Sequence, residues 1–321
     1  MRLVGTVIAI AGCLAAGCAA GQPKTYPSQT VTIVVPFGPG SGLDTVARVI
    51  AADLSERLNA RVIVENKPGA SGALAASHVA HAAPDGHTLM FTSNTTHSAN
   101  PSLLPSISYD PIRDFAPIAR LGSLPSFLVA HPSVPARTLG ELVAYGTSHP
   151  GKLSYATGNA TGVVAGATLA LRTGIEMLRV PYNSTPQGLN DLIGGRVPLM
   201  ITDFATGIPH VQSGAIRAVA MTSGERSRLL PDMPTFAESG LPDFDVTAWQ
   251  GAFAPAGTPK EIVDLLNAEI CRSVENPVRK AHFASIGFDA RCSSPADFEA
   301  FVKDELVKWT RLIADAGLKP R

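Results

Sequence analysis

The chain has 321 residues, 45% of them hydrophobic and 16% charged, with 26 basic side chains against 26 acidic ones. That length accommodates about two domains with substantial cores. The balanced charge, with no basic run, excludes an electrostatic surface that would gather nucleic acid or an anionic membrane.

Residues 1–18 read as a bacterial export signal. Arg2 supplies the positive charge, and LVGTVIAIAGCLAAG supplies an apolar segment too short to cross a bilayer. A polar stretch follows, so the mature chain is expected in the periplasm. Cys18 follows Ala15-Ala16-Gly17 and Cys13 follows Ile10-Ala11-Gly12, and both resemble the lipidated cysteine of bacterial lipoproteins. Cys18 leaves the longer apolar segment and is the expected lipidation site; the alternative is a plain secretory signal. Cys271 and Cys292 remain. An even pair in an oxidising compartment points to a disulfide, with two separate buried thiols as the alternative.

VTIVVPF (31–37) reads as a strand, and the helix from Asp44 to Leu58 places Val46, Val49, Ile50, Leu54 and Leu58 on one face. RVIVENKPG (61–69) is a second strand, SGALAASHVAHAAP a second helix and HTLMFTS (87–93) a third strand. This βαβαβ order implies a parallel sheet with right-handed crossovers. SFLVAHP (126–132) opens a second unit, in which LSYATG, MLRVPY, VPLMITD and IRAVAMTS read as strands. Its helices begin at Thr138, with Glu141 at capping-box spacing, and near Gly162, Thr185 and Ile208. A proline-rich loop, the strand WQGAFAP and two or three helices complete the chain. The fold class is α/β with two lobes, each a mostly parallel sheet covered by helices. Ligands in such sheets bind at the carboxyl ends of strands, beside helix N-termini.

The glycine loop after the first strand, Gly38-Pro39-Gly40-Ser41-Gly42, matches neither the P-loop nor the dinucleotide fingerprint. Pro39 lacks an amide, and Asp44 would repel a polyphosphate. GASG (69–72) is not a nucleophile elbow. His78, His81, Asp85 and His87 could hold a metal, but a solvated helix face and turn is the favoured reading, and no metal site is expected. A different pattern recurs four times. Strand ends feed small hydroxylic residues into helix starts: Ser41-Gly42, Thr92 to His97, Thr157 to Gly162, and Asn183 to Pro186. Unpaired amides there carry partial positive charge and favour a carboxylate, held by dipoles in the absence of Lys or Arg. The alternative is that each loop merely caps its own helix, but four such loops, two in each lobe, point to a facing cleft.

A series of stretches, in order, resembles one family: YPSQTVTIVVPFGPGSGLDTVAR, VIVENKPGASG, VAHAAPDGHTLMF, YDPIRDFAPIARL, LGELVAYGTSHPGKLSYATG, VPYNSTPQGLNDLIGGRV, IRAVAMTSGERSRLLPDMPTFAESGLPDF and WQGAFAPAGTPKEIVDLLN. These are similar to the periplasmic substrate-binding proteins of tripartite tricarboxylate transporters, often called Bug receptors. The resemblance implies a two-lobed, type II-like periplasmic binding protein with a hinge, in which residues 26–120 and 222–321 form one lobe and residues 121–221 the other. It implies a receptor, not an enzyme, without cofactor, that captures a small carboxylated solute and delivers it to membrane permease subunits. It is expected to be a monomer. The alternatives are a ligand-sensing lipoprotein that signals to a membrane kinase, and an exported hydrolase.

Carried over residue by residue, the ligand loop of one lobe is Phe37, Ser41, Gly42, Leu43 and Asp44. Facing it are Thr157, Gly158, Asn159, Thr161 and Gly162. Ser93, Asn94 and Asp203 join them from strand ends. Asp44 either meets a ligand donor or caps its helix, and Trp249 and Phe253 either floor the cleft or pack the core. The family's first loop usually ends Thr-Asp; here Leu43 precedes Asp44. VPY is usually followed by Lys-Gly; here Asn183-Ser184 follow, which removes a nearby cation. That loss favours a ligand with one or two carboxylates over a trianion.

Overall fold

A computed structural model describes residues 26–320 of the chain. The expectations for the export signal, Cys13 and Cys18 lie outside the described residues. In chain order the first elements are β1 (Val31–Val35), α1 (Gly42–Arg57), β2 (Val62–Asn66), α2 (Ala73–Ala80) and β3 (Thr88–Ser93). A π-helical turn (Thr95–Ala99), α3 (Asn100–Leu103) and β4 (Phe115–Leu124) follow. The middle of the chain supplies β5 (Ser126–Ala130), α4 (Leu139–Ser148), β6 (Leu153–Thr157), α5 (Ala160–Thr173), β7 (Met177–Pro181), α6 (Thr185–Ile193), β8 (Leu199–Asp203), α7 (Phe204–Gln212) and β9 (Arg217–Met221). The last part supplies β10 (Ala248–Pro255), α8 (Lys260–Glu275), α9 (Pro277–Ser285), β11 (Asp289–Ala290) and α10 (Pro295–Asp315).

Two sheets result. The first has the order β11-β4-β10-β3-β1-β2 and the second β7-β6-β8-β5-β9. In the first, β1 runs parallel to β2 and β3, while β10 inserts antiparallel between β3 and β4. In the second, β6 is parallel to β7 and β8, while β5 is antiparallel to β8 and β9. Each lobe therefore has one main strand direction and an opposed strand by which the chain enters from the other lobe, β5 in the second and β10 in the first, where the short β11 is also antiparallel to β4. The chain first crosses at Pro125, between β4 and β5, and returns ahead of β10.

The strands that bear the site are apolar because helices cover both faces. β5 and β8 are buried at every residue. α1 turns Val46, Ala47, Ile50, Ala51 and Leu54 inward, each fully or almost fully buried. Burying an Ile or Leu contributes ~1.5–3 kcal/mol, which fixes α1 and hence the loop at its start. One polar residue shares the buried face. Asp53 accepts from the Arg279 guanidinium at 2.6 Å and from Ser273 Oγ at 2.5 Å, tying α1 to α9 and α8. Cys271 on α8 and Cys292 after β11 form a disulfide with Cα atoms 5.3 Å apart.

Some elements differ from the sequence reading. β4 lies in a stretch (YDPIRDFAPIARLGSL) whose Pro117 and Gly122 break the apolar alternation, and the register with β10 shifts twice along it. α7 begins at Phe204 rather than near Ile208, because Asp203 caps it. Thr138 caps α4 by accepting from the Glu141 amide, but the Glu141 carboxylate accepts from the Arg137 amide rather than from that of Thr138. Trp249 and Phe253 pack in a core with Phe298 and Val302.

Candidate functional site

The carboxyl ends of strands from the two sheets meet, and helix N-termini converge between them. At α1 the chain leaves β1 through Pro36, turns at Gly40 (φ +78°) and enters the helix at Ser41. The positive φ is why glycine stands at position 40. Ser41 Oγ accepts from the Asp44 amide at 3.3 Å, and Thr45 makes the first helical bond. The amides of Gly42 and Leu43 are left without partners in the helix.

Asp44 faces away from the cleft. Its carboxylate accepts from the Gly40 amide (2.9 Å), from Arg48 Nε (2.9 Å) and from Asn66 Nδ2 (2.8 Å). Burial works against its charge, but the bonds from Arg48, Asn66 and Gly40 outweigh burial and hold its pKa below the ordinary range. Asn66 also donates to the Phe37 carbonyl at 2.9 Å. Asp44 thus fixes the shape of the loop, and the question whether it meets the ligand or serves its helix resolves towards the loop.

Three further helix starts face this one. Asn159 caps α5, its Oδ1 accepting from the Gly162 amide at 2.9 Å. Gly158 packs so closely that a Cβ there would overlap the backbone of Ser184 and Thr185 at the start of α6. Asp203 caps α7, accepting from Thr206 N and Oγ1 at 2.9 and 2.8 Å.

The two lobes touch across the cleft. Asn94 Nδ2 donates to Thr161 Oγ1 at 3.1 Å, and the Ala160 amide donates to Thr95 Oγ1 at 3.2 Å. A Cβ on Gly42 would stand 2.6 Å from Asp203 Oδ1, and one on Gly38 would stand 2.9 Å from Ser184 Oγ. The lobes are therefore closed. The cavity between them measures about 30 Å³, room for two or three waters.

The cavity wall brings together Phe37, Ser41, Gly42, Leu43, Ser93, Asn94, Asn159, Thr161 and Asp203. Thr157 and Gly158 lie beside it and line a neighbouring cavity instead. Gly162 and Asp44 are absent from its wall. The wall also holds Thr95 and Thr185, from two of the strand-end loops, and Leu124, Ser126, Ala248 and Gln250, which the motifs did not single out. Gln250 carried a readable signal. It is the one polar side chain in the apolar run WQGAFAP, it is buried, and a buried amide needs partners.

No lysine or arginine lines this cavity, and its one ionisable group is Asp203. Burial pushes the Asp203 pKa up, and the two bonds from Thr206 oppose the rise without cancelling it. The wall thus combines helix-end dipoles, hydroxyl donors and a single reluctant acid. Among the described residues no group of three or more His, Cys, Asp or Glu side chains is placed to hold a metal, and His87 contacts Asp85 and lies tilted against Tyr26. No helix of the described residues is long and apolar enough to cross a membrane.

The family model described as "Tripartite tricarboxylate transporter family receptor" matches residues 46–318. Protein BugT of Bordetella pertussis (strain Tohama I) is 34% identical over 323 residues, covering 99% of this chain and 98% of that protein. Among solved structures, Rpa4515 of R. palustris with adipate superposes with a TM-score of 0.90 at 33% identity, covering 92% of this chain and 100% of that one. MatC of Rhodopseudomonas palustris with bound malate has a TM-score of 0.85 at 35% identity, covering 90% of this chain and 100% of that one.

Proposed function

The chain belongs to the tripartite tricarboxylate transporter receptor family, and on that premise we propose that its inner cleft holds one carboxylate of a small organic acid. It is a periplasmic solute-binding receptor with a two-lobed fold, not an enzyme. The observation that carries the carboxylate reading is the convergence of four helix N-termini and six hydroxyl side chains (Ser41, Ser93, Thr95, Ser126, Thr161 and Thr185) on one cavity without a lysine or arginine in its wall. Adipate and malate in the related structures agree with it.

In this reading the carboxylate takes the amides of Gly42 and Leu43 from one lobe and donors near Asn159 and Thr161 from the other. Each charge-assisted hydrogen bond contributes ~1.5–3 kcal/mol. Five or six, offset by the entropy of association, suffice for micromolar binding at ~8 kcal/mol. Asp203 is the group that selects. Next to it the solute presents a hydroxyl, an ammonium or no charge. The lobes divide at Pro125 and ahead of Ala248, and closure about those segments brings Asn94 to Thr161. The closed form then meets the permease subunits, as a monomer, with Cys18 as the lipid anchor where the export signal is of lipoprotein type.

The test is a thermal-shift titration of the purified protein against mono-, di- and tricarboxylates. Binding to the folded state stabilises by ~2.7 kcal/mol at a hundredfold excess over Kd. A selective rise that disappears in Ser41→Arg is expected. No rise with any carboxylate would overturn the reading.

A further inference from the structure

A second, larger cavity of about 550 Å³ opens beside the inner cleft. Its size falls in the range of small-molecule sites. Lobe one contributes Ser71, Asn100 and the α3 end to its wall, and lobe two contributes β6, β7 and the start of α5. Asn159 lines both cavities, so the two adjoin at that side chain.

The charge of this outer wall is unlike that of the inner one. It contains Arg179 and Lys319 and no acidic side chain. Among the described residues neither cation has an ion-pair partner, although thirteen other basic groups of the chain do. Arg179 on β7 is the register partner of Tyr155 on β6, whose ring forms part of the same wall. Lys319 comes from the other end of the chain. Gly317 (φ +68°) ends α10, its own amide and that of Leu318 turning back onto Ala314 and Ile313, and the turned chain runs to the cavity mouth. Asn100 adds a fully buried side chain with an unpartnered Oδ1.

An inner cleft built from dipoles neutralises one carboxylate. A second anionic group on the same solute needs a cation, and the adjoining outer wall supplies two. We propose that the outer cavity is a distal anion subsite, in which Arg179 and Lys319 hold the far carboxylate of a dicarboxylate whose near carboxylate sits in the inner cleft. The proposal rests on the carboxylate reading of the inner cleft. It also revises an expectation from the sequence: the cation lost after VPY returns four positions before Asn183, at Arg179, and from the C-terminus.

The experiment is calorimetry with straight-chain α,ω-dicarboxylates of three to eight carbons, each compared with the monocarboxylate of the same length. Wild type, Gly42→Ala, Arg179→Gln, Lys319→Gln and the double Arg179→Gln/Lys319→Gln variant are titrated at low and at moderate salt. In wild type the best dicarboxylate binds at least about tenfold more tightly than its monocarboxylate. Each single glutamine variant narrows that gap by about three- to fivefold, the scale of a solvent-exposed charge pair. The double variant abolishes the gap and leaves the monocarboxylate unchanged. Added salt narrows the wild-type gap and not that of the double variant. Equal binding of the two classes by wild type, or a gap that survives in the double variant, overturns the distal subsite while the inner site stands. Loss of both classes in Gly42→Ala alone identifies the inner site. If no carboxylate binds wild type at all, both readings fall together. Both cations are on the surface, so unchanged melting of the unliganded variants verifies that they fold.

Discussion

Gly42→Ala should separate the stability of this protein from its ability to close. Gly42 is the first residue of α1, and its φ lies outside the left-handed region, so alanine fits the backbone. An alanine there favours the helix by up to ~1 kcal/mol. Its Cβ, however, would stand 2.6 Å from Asp203 Oδ1 and against Leu124 Cδ2. Leu124 ends in a methyl that can rotate. Asp203 cannot yield as easily, because Thr206 holds the same oxygen through two bonds. Asp203 belongs to the opposite sheet, so this clash arises only when the lobes close. Overpacking of this kind costs ~1–3 kcal/mol, which is about 5- to 150-fold in Kd. The unliganded variant should melt at or slightly above the wild-type temperature, while its carboxylate titration weakens by that factor. Small-angle scattering with saturating ligand should show the variant more extended than wild type. Wild-type affinity in the variant would refute the argument. So would a melting temperature several degrees lower, since that places the damage in the fold rather than in closure.

Three further outcomes follow from named groups. Asp203→Asn keeps the α7 cap and removes the buried charge. Because burial raises the Asp203 pKa, affinity of wild type for a simple carboxylate should climb as pH falls through that raised value, while the variant binds tightly with a flat profile; an equal slope in both would clear Asp203 of the effect. The same shift makes the charged form a liability above the ordinary carboxylate pKa, so Asp203→Asn should melt higher at pH 7 and lose that advantage towards pH 4. Arg279→Met leaves Asp53 buried with Ser273 as its remaining partner. Burial disfavours the Asp53 charge, yet Arg279 and Ser273 outweigh it and lower the pKa. The pair therefore stabilises above the unfolded pKa of ~3.9 and is lost as pH falls through the lower folded value. The variant should lose ~2 kcal/mol at pH 7, less than a fully buried pair because Arg279 is 38% exposed, and its stability should be flatter in acid; urea unfolding from pH 2 to 7 measures both. Cys271→Ser/Cys292→Ser opens a loop of sequence separation 21 and should cost ~3 kcal/mol in urea without changing carboxylate affinity; an unchanged unfolding midpoint would contradict it.

The parts of the fold legible in the sequence were those whose residues obey one local rule. β1, α1, β2 and β3 have uninterrupted apolar runs or a single helical stripe, and the order βαβαβ then dictates a parallel arrangement. β4 escaped because Pro117 and Gly122 break the alternation, and β10 supports it from more than a hundred residues away. The site divides in the same way. Ser41, Asn159 and Thr161 are visible as strand-end loops with capping residues. Ser126, Ala248 and Gln250 join the wall only because β10 and β5 return between parallel neighbours. The role of Asp44 depended on Asn66 and Arg48, and Asn66 sits a strand away. Lys319 could not be placed by any local pattern, because it reaches the cavity from the last turn of the chain.

The balance between open and closed forms follows from which contacts bridge the lobes. Beside the crossing at Pro125 the seam is apolar: Leu124, Phe127, Phe204 and Phe288 belong to one cluster that continues from the first sheet into the second. Phe127 and Phe204 lie with ring centroids 4.6 Å apart. α10 adds a second fixed seam, with Phe298 and Val302 in the core of the first lobe and Trp309 and Ile313 among the residues that bury α5. These contacts remove apolar surface from water in either form and act as a pivot. At the lips of the cleft the contacts are different. Asn94 with Thr161, and Thr95 with the Ala160 amide, are hydrogen bonds that water replaces on opening. Each such exchange is worth only ~0.5–1.5 kcal/mol net. A pivot that does not change and lips that are nearly neutral leave the two forms close in free energy. A solute held by both rims of the cleft has a differential affinity larger than that gap, so it decides which form is populated.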